Sequence, residues 1–285
     1  MIPGSFDYFR PQSVAEASAL LAKDDNARVL AGGHSLLPMM KLRMAQPSAL
    51  IDLGGIGELR QIQFQGGQLH LGAMASQHDL LASDLVSEHA PILKEVALLI
   101  ADPQVRYLGT IGGNVANGDP GNDMPAVMMA LDAAFVLEGQ HGRRNVKARA
   151  FYTGTYETAL LPGEILTAVE IPSQVKGGFA YEKLKRKVGD YATAAAAVIL
   201  SVKAGVVDAC EITLTNLGPT ALRAEAAASA LIGKPAGHPG AIDAAVAAAR
   251  AIMTPAHDTR GTPEYRTSAG GSMVRRAIQR ALAKA

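Results

Sequence analysis

LGTIGGNVANGDPGNDMP, Leu108–Pro125, is the stretch whose reading decides the fold. Gly112 and Gly113 give the backbone conformations closed to other residues and let it come close to a ligand. Asn114, Asn117, Asn122 and Asp123 add short side chains that bond hydroxyls and backbone groups. Asp123, Pro125 and the apolar run AVMMAL read as a helix start. The segment is expected to be a backbone cradle running into a helix N-terminus, which suits a phosphate-bearing ligand.

Upstream, Val29–Leu37 (VLAGGHSLL) repeats the pattern: an apolar strand end, Gly32–Gly33, then His34 and Ser35. Neither loop is a P-loop, because no Lys-Ser or Lys-Thr follows, and neither matches G-x-G-x-x-G. Either loop alone reads as a plain turn in a chain holding 29 glycines. Together they are expected to close on one pyrophosphate. Which dinucleotide they hold stays open at this level. Bulky residues at Gly32 and Gly113 are expected to exclude that ligand while leaving the protein stable.

The 285 residues are 48% hydrophobic, enough for a full core in one large or two moderate domains. A net charge of +1 with mixed signs gives no electrostatic case for nucleic acid or an anionic membrane. The single cysteine, Cys210, excludes an intrachain disulfide and any cysteine-ligated cluster or Cys-rich zinc site built by this chain alone. MIPGSFDYF lacks the basic and apolar regions of a signal peptide. The longest apolar runs, such as Tyr191–Val202, are Ala-rich and too short to span a bilayer. The expectation is a soluble cytoplasmic protein.

Taken in order, Ser13–Leu21 opens with Ser13 and Glu16 in capping-box spacing and reads as a helix. A strand at Arg28–Ala31, a short helix at Leu36–Met44 and a strand at Leu50–Leu53 follow. Gln61–Phe64 and Leu69–Leu71 flank Gly66–Gly67 as a hairpin. Ser76–Leu81 and Pro91–Ile100 read as helices, the second leading into the main cradle. Ala133–Glu138, Val146–Arg149 and Ile165–Ile171 read as strands, without regular βαβ alternation. PSQVKGG at Pro172–Gly178 marks a domain boundary, dividing the chain into 1–176 and 177–285. Beyond it come sheet segments Phe179–Lys185, Ala196–Lys203 and Ala209–Leu217, then helices Leu222–Ile232, Ala241–Ile252 and Ser272–Ala283. The fold class is α+β.

The histidines are scattered, and no pair has metal-ligand spacing on a helix. His70 alternates within a strand and reads as a surface residue. His34 could bond a phosphate or ring edge, or cap its turn. No Ser/His/Asp set and no carboxylate dyad is evident, and nothing near Asp102 or Asp119 makes them acid–base catalysts. No catalytic residue and no metal site is therefore expected. Cys210 reads as an inert core residue. YEKLKRKVGDYA at Tyr181–Ala192 reads either as a basic strand edge that resists aggregation or as a turn offering Tyr191 to a ligand ring.

AGGHS at Ala31–Ser35 and TIGGN at Thr110–Asn114 together resemble the paired flavin-binding motifs of the FAD-binding medium subunits of molybdenum hydroxylases. The similarity runs along essentially the whole chain, through GDPGNDMPA at Gly118–Ala126, EILTAVEIP at Glu164–Pro172 and YEKLKRKVGDYATAAAA at Tyr181–Ala197. These segments resemble most the aerobic carbon monoxide dehydrogenase branch of that family. The resemblance implies a two-part FAD-binding domain of the vanillyl-alcohol-oxidase/muramate-reductase type. A small C-terminal α+β domain, a three-stranded antiparallel sheet with helices, follows it, with FAD between the two.

By that resemblance, Ala31, Gly32, Gly33, His34 and Ser35 hold the pyrophosphate with Thr110, Ile111, Gly112, Gly113 and Asn114. Asp123 takes the ribityl region, Leu166 and Lys183 lie near the isoalloxazine, and Tyr191 covers one flavin face. Read without it, Asp123 is a helix N-cap, Leu166 a core residue and Lys183 a solvated charge. No His or Cys stands in a motif that signals covalent flavinylation, so noncovalent FAD is expected. The resemblance further implies a large subunit with a molybdenum–copper cofactor and a small subunit with two [2Fe–2S] clusters. It implies a dimer of heterotrimers that passes electrons to a quinone, peripheral to the inner membrane through the complex. Alternatives are the FAD subunit of another molybdenum hydroxylase (oxidising xanthine, an N-heterocycle or an acyl-CoA), a stand-alone NADPH-dependent FAD reductase, and an assembly protein that has lost its flavin.

Overall fold

The computed structural model describes residues 2–173 and 177–285. Residues 174–176, the centre of the expected domain boundary, lie outside the described residues. The first sheet is small and parallel, with β1 (Asp7–Phe9) and β2 (Arg28–Leu30) flanking β3 (Ala49–Asp52). Helix α1 (Val14–Leu21) links β1 to β2. Its N-terminus departs from a simple capping box. Ser13 Oγ accepts the Glu16 N–H at 3.2 Å, but the Glu16 carboxylate accepts the N–H of Gln12 at 2.9 Å. Helix α2 (Leu36–Lys41) follows the first glycine loop.

The second sheet is antiparallel, in the order β4–β5–β10–β6–β7. Its strands are β4 (Ile62–Gln65), β5 (Gln68–Gly72), β6 (Ala134–Gly139), β7 (Gly142–Lys147) and the central β10 (Ile165–Pro172). Gly66 and Gly67, with φ of +61° and +78°, make the tight turn between β4 and β5. Strand β7 begins earlier than its sequence suggests, because Gly142 at φ +105° closes a hairpin directly onto β6. A two-stranded pair, β8 (Tyr152–Gly154) and β9 (Glu157–Thr158), precedes β10.

Helices α3 (Gln77–Ala82), α4 (Asp84–His89), α5 (Ile92–Leu99), α6 (Pro103–Leu108), α7 (Ile111–Ala116) and α8 (Asp123–Ala130) lie between β5 and β6. Helix α6 was not expected from the sequence. Asp102 makes it, accepting the Val105 N–H at 2.9 Å, with Pro103 at the first helical position. Every residue of α8 is buried.

The C-terminal sheet is antiparallel, β11 (Gly178–Leu184), β12 (Ala194–Lys203), β13 (Val206–Thr215) and β14 (Leu222–Arg223). The three long strands match the expected sheet, and β14 adds a two-residue fourth. Because Leu222 and Arg223 pair with β13, helix α9 (Glu225–Leu231) starts later than its composition suggests. Helices α10 (Pro239–Ala251) and α11 (Pro263–Leu282) complete this layer. Side chains alternate across β12. Ala195 and Ala197 join the core of α5 and α8, whereas Ala194 and Ala196 join the core of α10 and α11. The alanine run is therefore a thin wall between two cores. Cys210 faces the second core at 7% exposure, its thiol pushed up to about 12 by burial, as expected of an inert residue.

Candidate functional site

The two glycine loops meet at the mouth of a cleft of about 1090 Å³. A Cβ on Gly32 would stand 2.4 Å from the Leu108 carbonyl oxygen and 2.7 Å from Gly109 Cα. Gly32 is thus glycine because another backbone crosses it. The expectation that a bulky residue there spares the fold is corrected by this contact. Gly33 needs its glycine for a φ of +75°. A Cβ on Gly112 would strike Ala73, 2.5 Å from its Cβ and 2.6 Å from its carbonyl oxygen, so this glycine seats α7 on the end of β5. At Gly113 the only close contact of an added Cβ is with a side chain, Thr110 Oγ1 at 2.9 Å, the next neighbour being Ala31 Cβ at 3.5 Å.

The loops differ in the donors they offer. In the second, Ile111 N–H goes to Ala75 O and Gly112 N–H to Ala73 O, both at 2.9 Å. Gly113 and Asn114 donate to the Thr110 hydroxyl and carbonyl, at 3.0 and 3.1 Å. In the first, the N–H groups of Gly32, Gly33, His34 and Ser35 find no protein acceptor among the described residues. A row of unpaired N–H groups at a cleft rim is an anion cradle. The residues present therefore fit a dinucleotide: the first loop offers free donors to an anionic group, and the second stands beside it with its N–H groups already bonded.

Ala31, Gly32, Gly33, His34, Ser35, Thr110, Gly112, Gly113, Asn114, Asp123, Leu166, Lys183 and Tyr191 all line this cleft. Ile111 does not: it is fully buried in the core and contributes backbone alone. Leu166, 5% exposed beside a bulge in β10, serves as both core and cleft wall. His70 is half-buried, its Nδ1 3.6 Å from Glu170 on β10, and lies away from the cleft.

Asp123 is not the helix N-cap. Asn122 holds that position, in extended conformation, and sends its amide to Asn114 O at 2.8 Å. The Asp123 carboxylate points instead at β11. Its Oδ1 accepts the Tyr181 hydroxyl at 2.6 Å and its Oδ2 accepts Lys183 Nζ at 2.7 Å. Lys183 is no solvated charge, for its side chain is 1% exposed and its ammonium also reaches Leu99 O at 3.3 Å. Burial raises the Asp123 pKa, opposed by Lys183 and by the Tyr181 hydrogen bond.

Tyr191 follows the turn at Gly189, φ +82°, and stays 39% exposed at the cleft. Its ring packs on Gly121, where a Cβ would come within 3.0 Å. The Arg260 guanidinium lies 5.6 Å from the ring centroid, a cation–π contact. Asp119 accepts the Gly121 N–H at 2.8 Å and the Tyr156 hydroxyl at 3.0 Å, so its work is to hold that turn. Sequence reasoning missed Tyr181, Tyr156 and Arg260. Tyr181 had a signal, since it sits two residues before Lys183 and therefore on the same strand face. Arg260 had none, because a loop far along the chain brings it to Tyr191.

Residues 4–174 match the family model described as the FAD binding domain in molybdopterin dehydrogenase. Residues 179–281 match the CO dehydrogenase flavoprotein C-terminal domain. The chain belongs to the FAD-binding medium subunits of the molybdenum hydroxylases. Among its relatives, the carbon monoxide dehydrogenase medium chain of Afipia carboxidovorans is 56% identical over 100% of this chain and 99% of its own length. A solved carbon monoxide dehydrogenase from Hydrogenophaga pseudoflava, which lacks the Mo-pyranopterin moiety of its cofactor, contains a chain of TM-score 0.98. That chain is 52% identical, with 100% of this chain and 99% of that one covered. The glyceraldehyde dehydrogenase medium chain of Sulfolobus acidocaldarius is 35% identical over 93% of this chain and 94% of its own.

Proposed function

We propose that this chain is the FAD subunit of an aerobic carbon monoxide dehydrogenase. The observation that carries the flavin part is the single cleft that joins the unpaired loop 32–35, the buried Asp123–Lys183 pair and Tyr191. The choice of carbon monoxide rests on 56% identity along the full length of a carbon monoxide dehydrogenase medium chain. The flavin site alone does not select the substrate, since the relative that is a glyceraldehyde dehydrogenase chain shares the fold's length at 35% identity.

In this reading the N–H groups of loop 32–35 hold the pyrophosphate, with the Thr110 hydroxyl and the Asn114 amide beside them. Asp123 bonds the ribityl region, Leu166 and Lys183 border the isoalloxazine, and Tyr191 covers one face against water. FAD, when bound, accepts electrons singly and gives them up as a pair. The chain supplies position, shielding and the buried Asp123–Lys183 ion pair. It divides into a flavin-binding domain, residues 1–176, and a smaller domain, residues 177–285. A large molybdenum–copper subunit and a small subunit with [2Fe–2S] clusters complete a dimer of heterotrimers, and a quinone takes the electrons. Among the described residues no helix is long and apolar enough to cross a membrane. Any attachment to the inner face of the cytoplasmic membrane is therefore assigned to the complex as a whole.

Isolation of the complex from its source cells tests the assignment. The expected preparation contains two further chains, molybdenum, copper, iron and FAD, and reduces dyes with carbon monoxide. A copper-free complex that oxidises a heterocycle or an aldehyde would reassign the substrate and leave the flavin site standing.

Tyr191 supplies a test of the site itself. Its ring is partly exposed and touches Gly121 and the Arg260 guanidinium, with its hydroxyl toward Ser35, so Tyr191→Ala is expected to change the melting temperature of the FAD-free chain little. FAD affinity should fall by about 1–3 kcal/mol, roughly a 5- to 150-fold rise in Kd, the worth of a buried aromatic contact. A lowered melting temperature with unaltered FAD affinity would make Tyr191 a packing residue only.

A further inference from the structure

Tyr181 stands behind the cleft and does not line it. Its side chain is 1% exposed, and its hydroxyl meets Asp123 Oδ1 at 2.6 Å and Thr215 Oγ1 at 3.3 Å. The main chain of the same residue is pinned from α5 and α11. Its N–H donates to Glu95 Oε2 at 3.2 Å, and its carbonyl accepts Arg280 at 3.3 Å. Tyr181 and Lys183 are two apart on β11, so both side chains reach the same face and take one carboxylate oxygen each. The carboxylate thus has a separate donor for each oxygen, one of them a neutral phenol out of reach of solvent.

We propose that Tyr181 is a positioning residue that keeps Asp123 ionised, so that the Asp123–Lys183 pair is electrically neutral beside the flavin and sets its reduction potential. The inference rests on the flavin reading above. A hydrogen bond to the charged form of a carboxyl opposes the pull of burial toward the protonated form. Without the phenol proton, Lys183 alone opposes burial at close range and Asp123 shifts toward its protonated form. As it takes up a proton the pair gains positive charge, which favours the electron-rich reduced flavin. The titratable and charged groups facing Asp123 are Lys183 and Tyr181 on β11, Lys185 just beyond it, and Tyr191 across the cleft. Glu95 pairs with both Arg280 and Lys284 on the far side of Tyr181, Arg280 also reaches Glu182, and Glu95 and Arg280 take the Tyr181 main chain.

Tyr181→Phe keeps the ring and removes only the hydroxyl. Spectroelectrochemical titration of the full chain loaded with FAD is expected to show at least a tenfold greater preference for reduced flavin. For a two-electron couple that is a rise of about 30 mV. The difference should widen as pH falls, because the added charge comes from proton uptake. Asp123→Asn, measured at saturating FAD, is expected to give a similar rise that does not depend on pH. It keeps the inference testable should Tyr181→Phe fail to fold. Bound flavin with an unchanged potential in the variants that fold would overturn the role of Tyr181. No flavin absorbance in the unaltered chain would defeat the flavin reading instead, so the two failures are distinct.

Discussion

Gly32→Val is expected to yield little folded protein, whereas Gly113→Ala should fold and lose affinity for FAD. The two glycines look alike in sequence, each one of a pair at the end of a short apolar run. Their surroundings differ. At Gly32 the added Cβ would lie 2.4 Å from a main-chain carbonyl oxygen and 2.7 Å from another Cα, and no side-chain rotation relieves either contact. The loop carrying Leu108 and Gly109 must move, and with it the Gln77 N–H bond to Gly109 O at 2.9 Å. Overpacking in a tight core costs about 1–3 kcal/mol, and more when backbone must shift. Valine at Gly32 is expected at the top of that range, a large share of a typical stability of about 5–15 kcal/mol. At Gly113 the nearest atom is the Thr110 hydroxyl, a side chain that can turn aside at the cost of its cap, about 1 kcal/mol. The measurement is a pair of thermal melts on each variant, with and without FAD. A Gly32→Val protein that melts like the parent would show that the two loops do not cross as described.

That contrast marks what was legible in the sequence. The glycine pairs, the hairpin at Gly66–Gly67 and the Gly189 turn are local devices, and each reads correctly from a few residues. So do the caps at Ser13 and Ser76, each with an acid three places on, and at Asp102, with Pro103 after it, although only the first was foreseen. What the glycines are for was not legible. Gly32 and Gly112 answer to main chain and to Ala73, both distant in sequence, whereas Gly113 borders the cleft and meets only the Thr110 side chain closely. Asp123 shows the same limit. Its place before an apolar run is what a helix N-cap looks like, yet Asn122 takes the cap position and frees the carboxylate for β11. The basic run at Tyr181–Lys187 looks like a solvated strand edge, because the Lys183 side chain is buried while Glu182 and Lys185 are only half-buried and Arg186 and Lys187 are exposed. Charge alone could not say which lysine turns inward; the position of its carboxylate could.

Lys183→Met should be the most damaging change to a polar side chain within the cleft. Its ammonium is held by Asp123 Oδ2 at 2.7 Å and Leu99 O at 3.3 Å, with the side chain 1% exposed. Methionine fills much of the space but leaves a carboxylate, in a residue only 5% exposed, with the Tyr181 hydroxyl as its remaining donor. Breaking a buried pair from one side costs about 3–5 kcal/mol, because the surviving charge keeps its desolvation penalty. The pH dependence follows from the direction of the Asp123 shift. Burial already raises this pKa, and Lys183 is the leading influence that lowers it. In the variant the folded-state pKa must climb further above the unfolded value. A carboxyl with a higher pKa when folded binds more protons folded than unfolded, so unfolding free energy falls as pH rises through that window. The deficit of Lys183→Met against the parent should therefore be smallest in acid, where Asp123 is protonated, and grow toward neutral pH. Adding Asp123→Asn removes the stranded charge and should restore most of the lost stability, since a neutral replacement of a buried pair is often tolerated. Thermal melts of the parent, the single variant and the double variant across pH decide the matter. A single variant that melts with the parent at neutral pH would mean that the Asp123–Lys183 contact contributes nothing to the fold.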